Sequence, residues 1–94
     1  MYVTIRSYGG GREFGDALVA HEDEIRSVIT PIDGFRAYYL VRTAEGTTTI
    51  SVFATEDGAQ ESTTRAAAWV GENLADVAPG PPQVTSGDVA LSFS

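Results

Sequence analysis

Ninety-four residues with 43% hydrophobic content can build one compact core but hardly two, so a single domain spanning residues 1–94 is expected. The absence of cysteine removes disulfides, thiolate catalysis and zinc–thiolate sites together. The net charge is −7 and the six cations, all arginine, are scattered; this argues against nucleic acid as a partner, because phosphate binding needs clustered cations to release counterions.

The chain opens on Tyr2 to Tyr8, where Val3 and Ile5 alternate with polar or amphipathic neighbours at the two-residue period of a half-buried strand, and Gly9-Gly10-Gly11 stops it. From Phe14 to Ile29 the apolar residues Phe14, Leu18, Ile25, Val28 and Ile29 share one helical face, and Pro31 and Gly34 end that helix. Phe35 to Arg42 and Thr48 to Phe53 read as two strands of a hairpin joined through Ala44-Glu45-Gly46-Thr47. Asp57 is a good N-cap for a second helix, along which Ala59, Thr63, Ala66, Val70, Leu74 and Val77 form a stripe of mostly small residues. Ala78-Pro79-Gly80-Pro81-Pro82 cannot continue it, and a last strand is expected from about Val84 to Phe93. No apolar run approaches the length of a membrane span and no targeting segment stands before the first strand, so a soluble cytoplasmic protein without a membrane partner is expected.

The order βαββαβ with right-handed crossovers predicts an α+β, ferredoxin-like fold: a four-stranded antiparallel sheet with two helices on one face. Both faces of the second strand are apolar, one carrying Phe35, Ala37, Tyr39 and Val41, the other Tyr38 and Leu40, with Phe53 added to the latter. A sheet with a wet face should alternate cleanly, so the helix-free face is expected to be covered by a second copy of the chain, a homodimer burying Tyr38, Leu40 and Phe53. The same parity turns Ser7 and Tyr39 toward the helices; a one-residue slip reverses it.

Several chemical motifs fail. The third glycine of a dinucleotide fingerprint would fall at position 14, where Phe14 stands, and no Walker motif, nucleophile elbow, zinc-protease helix or EF-hand is present. His21-Glu22-Asp23-Glu24 reads as a solvated helical turn rather than a metal site, since adjacent side chains point different ways around a helix. One titratable residue is oddly placed: His21 lies between Leu18 and Ile25 on the apolar stripe, as either a satisfied core imidazole or a cavity group able to move a proton. Trp69 and Asn73, four apart on the flank of the second helix, are a packed indole and a polar shoulder, or a pocket wall.

Taken over its whole length the chain resembles the dimeric α/β-barrel superfamily, which includes the antibiotic biosynthesis monooxygenases and the haem-degrading monooxygenases. The resemblance rests on Tyr2 to Tyr8 as first strand, the Ile32-Asp33-Gly34-Phe35 turn, Ser51 to Asp57 leading into the second helix, and Ala68-Trp69-Val70 within it. It implies a pocket between helices and sheet, used by some members for cofactor-independent oxygenation of aromatic molecules. Ser7 would stand where the haem-degrading subgroup has an Asn, and Trp69 where it has a helical Trp. The iron-ligating His of that subgroup should lie in or just after the second helix, where this chain has Asn73 and Val77, so the resemblance stops short of haem degradation. It implies a cofactor-free monooxygenase acting on an aromatic or polycyclic small molecule, with Ser7, Tyr39 and Trp69 against the substrate and His21 or Asn73 assisting deprotonation. The alternative is a non-catalytic ligand-binding or structural homodimer in which His21 and Trp69 only pack.

Overall fold

The computed structural model describes residues 1–94 as β1 (Tyr2–Tyr8), α1 (Glu13–Ala20), α2 (Glu22–Ile29), β2 (Phe35–Arg42), β3 (Thr47–Phe53), α3 (Glu56–Asn73) and β4 (Gln83–Asp88). The sheet order is β2-β3-β1-β4 with all neighbours antiparallel, the ferredoxin-like arrangement expected from the element order. No helix is long and apolar enough to cross a membrane.

Four local features differ from the sequence expectation, each for a physical reason. The first helix is broken at His21, whose backbone leaves the helical region (φ −108°, ψ 31°). The break makes Glu22, Asp23 and Glu24 the first turn of a new helix, where free N–H groups favour carboxylates. The N-cap of α3 is Thr55, not Asp57: its hydroxyl accepts from the Gly58 N–H at 3.3 Å, and Asp57 sits inside the first turn beside Glu56. The last strand ends at Asp88, opposite Tyr2, because β1 offers only one further bond, from Val89 N–H to the Met1 carbonyl; Leu91 and Phe93 are left exposed.

The fourth correction concerns which side of the sheet faces the helices. A β-bulge between Phe35 and Ala37 puts one extra residue into β2, so Phe35, Tyr38 and Leu40 all turn inward while Ala37, Tyr39 and Val41 turn out. Phe53, fully buried, stacks edge-on to Phe35 at 5.8 Å beneath the helices. Tyr38, Leu40 and Phe53 therefore do not lie on the helix-free face. Ser7 and Tyr39 do, Tyr39 being 57% exposed. The central inward positions of β1 and β3 are polar: Thr4, Arg6, Thr47, Thr49 and Ser51 are all buried, with Tyr2, Tyr8 and Phe53 the aromatic residues of the same parity, whereas Val3, Ile5, Ile50 and Val52 face outward.

Under the helices the apolar core is consequently split. One cluster gathers Ile29, Ile32, Phe53 and Ala59; the other gathers Phe14, Leu18 and Leu74, with Ile25 against both. Ala59 and Ser62 bring α3 close to the sheet, and Gly58 makes the approach closest: a Cβ there would stand 2.8 Å from the Asp33 carbonyl oxygen and 3.0 Å from the Phe53 ring. Gly58→Ala is expected to lower stability by about 1–3 kcal/mol through overpacking against backbone that cannot move aside, read as a lowered denaturant midpoint with unchanged slope.

Candidate functional site

Between the two apolar clusters lies a polar layer built around Arg6, which is only 2% exposed. Its Nε donates to Thr49 Oγ1 at 3.3 Å, Nη1 to Thr63 Oγ1 at 2.8 Å and Nη2 to Ser51 Oγ at 2.7 Å. Thr63 can accept because its own proton goes to the Ala59 carbonyl one turn back in α3, at 3.3 Å. The guanidinium thus ties β1 to β3 and to α3 through three neutral hydroxyls. Burial pushes Arg6 below the ordinary arginine value, and the same burial pushes the Tyr8 and Tyr38 phenols above the ordinary tyrosine value, an effect Arg6 partly offsets.

Arg6, Tyr8, Tyr38, Thr49 and Trp69 line an inner cavity of about 30 Å³, together with Phe14, Leu18, Ile25 and Val70 among other apolar residues. That volume holds a small polar group or a couple of waters. Outside it, along the β2 edge beneath α1 and α2, runs an open groove of about 300 Å³ with walls of Leu18, Ile25, Ile29, Phe35, Tyr38 and Leu40. Leu18, Ile25, Ile29 and Tyr38 belong to both, so four side chains form the partition between groove and cavity.

The residues expected from sequence to act together are not brought together. Trp69 is half-buried in the cavity wall. His21 lines neither space: its Nδ1 donates to the Ala17 carbonyl at 2.8 Å, closing the helix break, and its ring meets the edge of Trp69 at 5.5 Å. Asn73 is exposed and its amide donates to the Trp69 carbonyl at 2.9 Å. Ser7 and Tyr39 stand on the opposite face of the sheet from the cavity, Ser7 beside Thr48 and Gln83. Sequence reasoning missed Arg6, Tyr8 and Tyr38. Their signal was present as hydroxyls at alternate positions of β3, Thr47, Thr49 and Ser51, in register with a lone arginine at Arg6 on the adjacent interior strand.

No protein-family model matches the chain, and no curated protein is similar to it by sequence. Solved structures are similar over nearly its whole length. A point mutant of MhuD with two manganese protoporphyrin IX molecules bound per active site superposes with a TM-score of 0.76 at 18% identity, covering 100% of this chain and 99% of that one. The monooxygenase ActVA-Orf6 of Streptomyces coelicolor, in complex with nanaomycin D, gives 0.70 at 14% identity, covering 99% and 89%. A candidate antibiotic biosynthesis monooxygenase of Bordetella bronchiseptica gives 0.70 at 19% identity, covering 96% and 97%. Identities this low speak to architecture alone, and at that level the chain has the fold of the antibiotic biosynthesis monooxygenase-like proteins.

Proposed function

We propose that this chain is a homodimer that binds an aromatic or polycyclic small molecule in the groove beneath α1 and α2, and that cofactor-independent oxygenation of that molecule is the activity to test. The observation that carries the reading is the apolar groove of about 300 Å³ running up to a small, mostly apolar cavity with Arg6 and Thr49 in its wall, which is the size and lining of a small-ligand site. Neighbours of the same fold hold manganese protoporphyrin IX and nanaomycin D, which supports a small-molecule ligand without fixing its identity. In such an oxygenation O2 is the oxidant: a ring CH2 becomes C=O, one oxygen atom enters the product and the other leaves as water with the two hydrogens, so no reductant is needed. Tyr38, on the wall of both spaces, would flank the rings in the groove, and Trp69, on the cavity wall, would meet the end of the ligand that reaches inward, with His21 and Asn73 setting the position of Trp69 from behind.

A second reading, binding without turnover, is favoured by one observation. The cavity walls hold no carboxylate and no imidazole; the titratable groups are Arg6 and two phenols held above their ordinary value, which are poor bases at neutral pH. Within the cavity, turnover would require a substrate acidic enough to arrive as its anion; the carboxylate of Glu22 stands on the wall of the outer groove.

The dimer is supported by the inverted polarity of the sheet. Val3, Ile5, Ala37, Tyr39, Val41, Ile50 and Val52 lie together on the side without helices. The chain exposes 5802 Å², against about 5,200 Å² expected of a 10.0-kDa monomer. Stacking two such faces would cover the excess.

Light scattering at micromolar concentration should give twice the chain mass, and Ile50→Asp, at the centre of the bare face, should weaken association by roughly a hundredfold. A wild-type monomer would remove the dimer. A naphthalenediol should quench Trp69, the only tryptophan, and Trp69→Ala should weaken its binding about tenfold. Oxygen uptake with that diol, above its spontaneous oxidation, separates turnover from binding alone. The buried phenols give a further check. Because Tyr8 and Tyr38 keep their protons in the folded chain after the unfolded chain has lost them, stability should hold up to about pH 10 and fall as pH rises through their folded values. Arg6→Met should move both phenols higher still in an ultraviolet titration; unchanged phenol titration would separate them from Arg6.

A further inference from the structure

Three of the six arginines are paired with carboxylates, Arg26 with Glu22, Arg42 with Asp16 and Arg65 with Glu61, and Arg12 and Arg36 are exposed to water. Arg6 has neither remedy. It is the buried one, and its charge is met only by the hydroxyls of Thr49, Ser51 and Thr63, with Tyr8 and Tyr38 as the other polar groups nearby. A guanidinium carries five N–H donors; one is taken from each nitrogen, so one N–H remains on each of Nη1 and Nη2. A buried cation without a counter-charge is a costly arrangement that an incoming anion relieves, and a pair of adjacent N–H groups is the arrangement that receives a carboxylate or phenolate oxygen. The cavity that Arg6 lines is small and mostly apolar, with Thr49 and the Tyr8 and Tyr38 phenols as the other polar groups in its wall, and it meets the apolar groove at Tyr38, Ile25, Leu18 and Ile29.

We infer that Arg6 is an anion-binding group and that the ligand of this site is an aromatic molecule bearing one negative group, its rings in the groove and its anionic head in the inner cavity. This rests on the groove and cavity being a small-molecule site, and it adds the charge of the ligand to that reading. Tyr38, common to both spaces, must rotate or be pushed aside as the head passes, which makes it the gate.

The test compares two probes with the same ring system, 2-naphthoate and 2-naphthalenemethanol, by isothermal titration calorimetry at neutral pH. The acid is expected to bind wild-type protein at least about tenfold more tightly than the alcohol. Arg6→Met should abolish that preference by weakening the acid alone, and Arg6→Lys should restore part of it. Should Arg6→Met not fold, the Arg6 Nε resonance of the wild-type protein serves instead: it should shift on adding the acid and stay in place with the alcohol. Equal affinity for the two probes in wild type would overturn the role of Arg6 while leaving the groove as a ligand site. A preference that survives in Arg6→Met, or an Nε resonance indifferent to the acid, would overturn it as well. Binding of neither probe would overturn this inference together with the small-molecule reading beneath it.

Discussion

The hydrogen bonds from Arg6 to Thr49, Ser51 and Thr63 are the constraint around which the rest of the molecule is arranged. A guanidinium in that position must be surrounded by acceptors, so the strand faces beneath the helices are hydroxyl-rich where a sheet normally presents its aliphatic side. Aliphatic residues then have only two places to go. Some form the paired clusters at either end of the sheet, around Phe53 and around Leu18; the remainder, from Val3 to Val52, lie on the face without helices. A divided core, a buried polar layer and an apolar exterior are thus arranged around a single buried charge.

Element order was legible from sequence because it is written in local signals. The two-residue period of Val3 and Ile5, the glycines after Tyr8, the apolar stripe from Phe14 to Ile29 and the breakers at Pro31 and Gly34 each act within a few residues. Strand facing was not legible, because parity depends on long-range packing and on one inserted residue near Arg36 that carries no mark of its own. A rule placing the more apolar face inward fails where the interior must solvate a cation. The break at His21 was hidden for a related reason: Phe14, Leu18, Ile25 and Ile29 stay in phase across it, so the stripe reads as continuous although the backbone is not.

The same logic governs the site. Trp69 was singled out because an aromatic on a small-residue helix stands out, and its place is in the cavity wall. His21 stood out as the only histidine, but its ring is engaged with the Ala17 carbonyl and the Trp69 edge, a supporting position behind the wall. Ser7 and Tyr39 followed the parity of their strands to the other side of the sheet. What distinguishes this pocket chemically is a buried positive charge, set where electrostatic attraction is stronger than at the surface.

The β-bulge at Arg36 and the alternation of β1 and β3 have a consequence for how the chain can vary. Along each strand, neighbouring positions answer to different selection: Thr4, Arg6, Thr49 and Ser51 to the interior polar layer, Val3, Ile5, Ile50 and Val52 to the exterior apolar sheet. Point substitutions therefore divide by parity into two independent sets of tolerances. Insertion or deletion of one residue within β1 or β3 exchanges both sets at once, placing aliphatic side chains against the guanidinium and hydroxyls in the open. A change of length inside β1 or β3 therefore costs far more than one in a loop, unless a bulge of the kind β2 carries absorbs it.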